Sequence, residues 1–171
     1  TVRFQCGDST EAFSPDETCE LEGVLDVELG QGESGFSPIP AGSMPELFVG
    51  TQGGQHAFFG VRVNNAALDR YDKLRADFRF HVVANCSTSG FGLPVATSDV
   101  GEPGSCLFQM ASRTVVLGDL HPVRVNSDGA IEEFGVLLQL PHLPDRLRVI
   151  ELEVTDPCGR VGESIHVVQP S

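Results

Sequence analysis

The 171-residue chain has no tryptophan, one tyrosine (Tyr71), one lysine (Lys73) and two methionines. Carbohydrate-binding modules commonly use exposed tryptophan or tyrosine as flat platforms with a polar edge. Their scarcity disfavours a carbohydrate partner, and the eleven phenylalanines mostly alternate with polar residues as a core would. No apolar run approaches the roughly 20 residues that cross a bilayer as a helix. No basic segment followed by an apolar one opens the chain, so an exported protein is expected to begin here at a mature end, Thr1. Long helical periodicity, internal repeats and low-complexity tracts are also missing. No P-loop, H-E-x-x-H or G-x-S-x-G motif occurs. "GQGESG" at 30–35 matches G-x-G-x-x-G, but "FSPIPAGS" follows it and cannot supply the helix a dinucleotide site needs. It is a glycine-rich turn. Serine, histidine and aspartate show no spacing that selects a catalytic triad, and the expectation is a non-enzyme.

Basic residues number 11 against 24 acidic ones, for a net charge of −13. Such a surface repels phosphate backbones and anionic lipid, which excludes nucleic acid as a partner. Solubility is the plain consequence, and a protein partner, including a second copy of the chain, remains.

What is abundant is alternation. "LEGVLDVEL" puts Leu21, Leu25, Val27 and Leu29 on one face, with Glu22, Asp26 and Glu28 on the other. "LRADFRFHV" alternates Leu74, Ala76, Phe78, Phe80 and Val82 with Arg75, Asp77, Arg79 and His81. "FGVLLQL" sets Phe134, Val136, Leu138 and Leu140 inward, and "VIELEV" does the same with Ile150, Leu152 and Val154. This is the half-buried strand pattern. "NSDG" at 126–129 and "DPCG" at 156–159 read as hairpin turns. Prolines at 38, 40 and 45 make 36–46 an extended loop. Only "NNAALDRYDKL", 64–74, reads as a short helix. The pattern predicts an all-β antiparallel immunoglobulin-like β-sandwich with long disulfide-stapled loops and at most one short helix. Residues 1–20 form an N-terminal arm pinned by a disulfide, and 21–171 a single sandwich domain.

Five cysteines are present: Cys6, Cys19, Cys86, Cys106 and Cys158. None forms C-x-x-C, so zinc knuckles and thioredoxin-like chemistry are not signalled. Cys6 and Cys19 flank one polar loop, and Cys86 and Cys106 another. Four cysteines permit three connectivities; local staples, Cys6 with Cys19 and Cys86 with Cys106, are the expected one. Cys158 is then left over as a free thiol or an intermolecular bond. Cysteine used this way belongs to an oxidising compartment, so a secreted, cell-surface or periplasmic location is expected. Asn85-Cys86-Ser87 fits the N-glycosylation acceptor, but Cys86 is taken as a disulfide partner.

The histidines are the remaining chemical candidates. Strand parity turns His56, His81 and His166 away from the core. Were their strands neighbours, they would converge on a surface Zn²⁺ or Cu²⁺ site. Gly53-Gly54 before His56 otherwise serves a tight turn that starts a strand. Calcium is the other metal to weigh: an EF-hand loop is absent, but Asp8, Asp16, Asp99, Glu102, Asp128 and Asp156 lie in inter-strand loops. An extracytoplasmic metal-binding protein is therefore the rival to the principal expectation. That principal expectation is a non-enzymatic secreted structural or adhesion module, self-assembling through edge strands into a homo-oligomer. Its donor would be "TVRF", residues Thr1, Val2, Arg3 and Phe4, adding as a strand to a neighbour's edge.

"IELEVTDPCGRVGESIHVVQ" resembles the closing hairpin of immunoglobulin-like and PKD-like extracellular modules. "VGTQGGQHAFFGVRV" is similar to a segment in uncharacterised exported β-sandwich proteins of myxobacterial type. Together the two stretches cover about a fifth of the chain. The resemblance implies an exported bacterial module and carries no catalytic residue to transfer.

Overall fold

A computed structural model describes residues 18–50, 53–87, 90–118 and 123–171. Eleven strands follow one another: β1 (Val27–Gln31), β2 (Ser37–Pro38), β3 (Leu47–Val49), β4 (Gln55–Val63), β5 (Leu74–Asn85), β6 (Ala96–Thr97), β7 (Ser105–Leu117), β8 (Arg124–Val125), β9 (Ile131–Leu140), β10 (Arg148–Thr155) and β11 (Val161–Val168). They form two antiparallel sheets. Sheet A runs β2-β1-β4-β9-β8 with β3 also on β4, and sheet B runs β11-β10-β5-β7-β6. The alternation in the sequence dictates this. Ala57, Phe59, Val61 and Val63 of β4 face Ala76, Phe78 and Phe80 of β5 across one core, with Ile150, Leu152 and Val154 of β10 beside them. Phe59 and Phe78 meet at 6.0 Å between ring centroids, so the two sheets share a single apolar interior. The chain is an all-β antiparallel sandwich.

Both hairpin turns form where the turn residues stand. Asn126 Oδ1 accepts from the backbone N–H of Asp128 (2.9 Å) and of Ala130 (3.0 Å), closing β8 onto β9. Asp156 closes β10 onto β11. Its Oδ1 accepts from the Arg160 backbone N–H at 2.9 Å and its Oδ2 from Arg160 Nε at 2.7 Å. Arg160 Nη2 goes on to donate to the Tyr71 hydroxyl at 2.9 Å. Burial raises the Tyr71 phenol above its ordinary range, and the Asp156 carboxylate beside it adds to the rise.

No helix forms at 64–74; the segment is a series of turns. The asparagines explain it, because their side chains compete with helical backbone bonding. Asn65 Oδ1 accepts from Asp26 N–H at 2.7 Å, Asn65 Nδ2 donates to the Val24 carbonyl at 2.9 Å, and Asn64 Nδ2 donates to Asp26 Oδ2 at 3.1 Å. "GQGESG" is the turn that leaves β1 for β2, as its flanking sequence required. Gly30 and Gly60 lie side by side on β1 and β4, and the ring of Phe36 occupies the space a β-carbon would need at both.

The cysteine pairing differs from the expected one in one half. Cys86 pairs with Cys106, as read from the loop they flank. Cys19 pairs with Cys158, not with Cys6, and Cys158 is neither free nor intermolecular. Cys6 lies outside the described residues. The physical reason is tertiary: the Leu25 N–H donates to the Val161 carbonyl at 3.1 Å. The chain therefore enters sheet A beside the β10–β11 turn, where Cys158 stands.

Two outcomes follow for stability. Closing a loop of 139 residues constrains the unfolded chain more than closing one of 20, about 5 against about 3 kcal/mol on the loop-entropy model. Cys19→Ser with Cys158→Ser is thus expected to lower the urea midpoint more than Cys86→Ser with Cys106→Ser. Asp156→Ala strands the Arg160 guanidinium, whose side chain is 9% exposed, and is expected to cost about 3–5 kcal/mol in the same titration.

Candidate functional site

The sandwich is sealed on one side and open on the other. On the sealed side, three hydrogen bonds join β11 to the segment 25–43, one of them from β1. Leu25 N–H reaches the Val161 carbonyl at 3.1 Å, Leu29 N–H reaches Ser164 Oγ at 3.1 Å, and His166 Nε2 meets the Ser43 carbonyl at 2.7 Å. Cys19–Cys158 closes the same side covalently.

On the open side stand the second edges of β9 and β7. β8 pairs with β9 only at Arg124↔Glu132 and Val125↔Ile131. β6 pairs with β7 only at Ala96↔Leu107 and Thr97↔Cys106. Beyond these, no described strand pairs with the outer edge of β9 at 136–140 or of β7 at 109–117; Gly135, within the bulge of β9, donates its N–H to the Gly32 carbonyl at 2.9 Å. The two edges flank a groove of about 580 Å³ lined by residues 110–113 and 137–141. "FGVLLQL" at 134–140 contains no charge and no proline, and β7 carries one charge there, Arg113. Natural sheets blunt such edges with lysine, proline or a covering segment, because unpaired N–H and C=O groups recruit another strand. β9 carries a bulge opposite Phe59 and Val61, with residues 32 and 33 against Gly135; beyond it, at 136–140, none of those devices is present.

The three predicted histidines lie apart. His56 begins β4 on the outer face of sheet A, stacked on Phe48 at 5.9 Å and edge-on to Phe58 at 5.5 Å. Phe48 and Phe58 also touch, at 5.2 Å, so the outward Phe58 is half-covered by its own neighbours. His81 does face outward from sheet B, yet it is only 2% exposed. Its Nε2 lies 2.8 Å from Glu151 Oε2 on the adjoining β10. The loop at Gly101 lies against Val83, the next residue on that face, which explains cover that parity alone does not show. His166 contradicts the expected parity. It registers with Ile150, a core residue, while Ile165 is the outward residue at 60% exposure. Glycine at 162 and serine at 164 blurred the alternation of β11. Among the described residues no group of three His, Cys, Asp or Glu is placed to hold a metal ion.

Of the calcium candidates, Asp156 is 1% exposed and committed to Arg160. Asp99 and Glu102 are exposed in the β6–β7 loop, and Asp128 is exposed in the β8–β9 turn. Asp8, Asp16 and the proposed strand donor Thr1, Val2, Arg3 and Phe4 lie outside the described residues.

The outer faces of the two sheets satisfy their own charges. On sheet B, Arg75 pairs with Asp77 at 2.9 Å, Arg79 with Glu153 at 3.4 Å, and Thr114 Oγ1 donates to Asp77. On sheet A, Arg62 lies over the Phe36 ring at 4.3 Å between Glu28 (3.0 Å) and Glu132 (2.8 Å). A hydrogen bond from Asn126, and then the Arg62 guanidinium, hold the Glu132 carboxyl below its ordinary range. Phe134 departs from its predicted inward place. A bulge opposite Phe59 and Val61 shifts the register of β9, and its ring sits beneath Arg124 at 4.4 Å. That bulge also turns Glu133 inward, where it is 3% exposed.

Two features of the site escaped the sequence pattern. The open edges depend on strand order, which alternation does not encode. The buried Arg148, 5% exposed, begins β10 in an ordinary-looking position. Among the described residues there is no helix long and apolar enough to cross a membrane. Two disulfides fit an oxidising, extracytoplasmic environment. The chain matches no protein-family model and no curated protein closely enough to count as a relative.

Proposed function

We propose that the chain is a secreted or cell-surface structural or adhesion module, without catalytic activity, that joins copies of itself by strand pairing at its open side. The observation that supports this is the uncharged, proline-free stretch of β9 at 136–140 with no described strand on its second edge. Strand addition supplies affinity through main-chain hydrogen bonds, and alternate side chains supply selectivity. Leu137, 46% exposed, and Gln139 are the residues of β9 that an added strand would meet on the outer face. On the other side, three hydrogen bonds tie β11 to the segment 25–43.

Net charge works against association. At −13, copies repel one another over roughly a Debye length, about 10 Å at 0.1 M salt. Assembly by an uncharged edge is therefore expected to strengthen as salt rises, the opposite of an ion-paired interface.

The test is molar mass by light scattering, without reductant, across a concentration series at low and high salt. The expected result is a mass well above 18.3 kDa that grows with salt. Leu137→Lys with Gln139→Lys, placing two charges on an exposed edge, is expected to return the chain to its monomer mass with its melting temperature unchanged. Deleting residues 1–5 asks whether the donor strand is that segment. A native chain that stays at the monomer mass up to about 1 mM, the weakest affinity that such a series reads, overturns the proposal.

A further inference from the structure

At the end of the sandwich where β4 and β10 begin, the sheets part around a cleft of about 450 Å³. That volume falls within the range of small-ligand sites, roughly 300–1,000 Å³. Its walls are largely apolar: Met44 and Leu47 on one side, Leu143 and Val168 on the other. One fixed polar pair stands at the margin, His142 Nδ1 at 3.2 Å from Gln55 Oε1.

Arg148 also lines this cleft. It is 5% exposed. Its Nη2 donates to the Gln169 backbone carbonyl at 2.8 Å, and its Nε, fully buried, has no acceptor. The other arginines that are partly sheltered are treated differently. Arg62, Arg75, Arg79 and Arg160 each meet a carboxylate. Arg148 meets none among the described residues, in a chain with 24 acidic side chains to draw upon. Burial pushes its guanidinium down from its ordinary range, and one backbone carbonyl is all that answers the charge among the described residues.

A buried cation without a partner is costly, and the cost is removed only by an anion of the right shape. The edge of a guanidinium formed by Nε and one terminal nitrogen matches a carboxylate through two parallel hydrogen bonds. Here Nη2 is held by the Gln169 carbonyl and Nε is buried without an acceptor, so a carboxylate takes up this edge by displacing that carbonyl. The surrounding apolar walls add a second requirement, a hydrocarbon body behind the charge. We propose that the cleft binds a carboxylate carried on a short branched apolar stem, with Arg148 as the residue that receives it. The chemistry has two sources, a free small carboxylic acid or the C-terminal carboxylate of a peptide ending in leucine. The inference is independent of strand pairing, since the cleft opens at the end of the sandwich and not at the edges of β7 and β9.

Calorimetric titration of the native chain decides it. The probes are 4-methylpentanoate, its neutral amide, and a short peptide ending in leucine as free acid and as C-terminal amide. At least one acid is expected to bind at least tenfold more tightly than its amide, a difference that titration resolves directly. Tighter binding of the small acid identifies a metabolite-like ligand, and tighter binding of the peptide acid identifies a chain terminus. Arg148→Met keeps the volume and removes the charge, and is expected to abolish the preference for acid over amide in a chain that circular dichroism shows folded. Acids and amides binding alike, or neither acid binding at about 10 mM, a limit already far weaker than a specific site, overturns the proposal on the native chain alone. An undiminished acid preference in folded Arg148→Met overturns it as well.

Discussion

The tie between the segment 19–43 and the β10–β11 hairpin is the constraint from which the rest of this sandwich follows. A two-sheet sandwich has two lateral sides, and each leaves strand edges that must be covered, charged or paired. Here one side receives three hydrogen bonds and a disulfide between the segment 19–43 and the β10–β11 hairpin. The loop-entropy contribution of that disulfide is large because it joins distant parts of the chain. The buried Asp156–Arg160 pair holds the turn that presents Cys158. Fixing this side locks sheet A over sheet B and aligns the two inner faces, so Phe59 meets Phe78.

The opposite side receives no such treatment. The core there is complete, since Val136, Leu138 and Leu140 of β9 are each 3% exposed or less. The backbone is not. A strand whose side chains are fully packed but whose outer amides and carbonyls lack partners is stable as a fold and adhesive as a surface. The distinction matters for reading the molecule. Exposed apolar side chains scattered over a surface are ordinary, whereas an uncharged edge without a paired strand is a specific template. The groove beside β9 and β7 thus joins two kinds of unmet demand, backbone polarity and the exposed Leu137.

How much of this was legible from residues alone divides along local and non-local lines. The inward sets on β4, β5 and β10 were readable because alternation is a property of neighbouring residues. The same holds for the "NSDG" and "DPCG" turns and for Cys86–Cys106, which spans one loop. The partner of Cys19 was not readable, because it depends on which turn the chain passes on entering sheet A. His166 was misplaced because Gly162 and Ser164 occupy inward positions without an apolar side chain to mark them. Phe134 was misplaced because a bulge shifts parity; Gly135, at φ 75° within that bulge, is the residue that marks the break. His81 was given the right face and the wrong exposure, since its cover comes from a loop far along the chain. The expected helix at 64–74 failed because Asn64 and Asn65 spend their side chains on cross-links to Asp26 and Val24.

Electrostatics separates the two unmet demands from everything else in the protein. Most sheltered charges are answered within the chain: Glu132 by Asn126 and Arg62, Asp77 by Arg75 and Thr114, Asp156 by Arg160. Such internal matching is the expected economy of a strongly acidic chain, which gains little from exposed pairs and loses much from buried unpaired ones. Arg148 departs from it, and it does so inside a cleft. β9 departs from it in another sense, as a stretch where charge is absent and backbone groups are left over. Both departures lie where the two sheets stop covering one another, one at the end of the sandwich and one along its open side. His81 Nδ1 is likewise buried without a partner, but Arg148 and the β9 edge are the two departures that border open space, and they are arranged for partners that complete them: an anion at the first, a strand at the second.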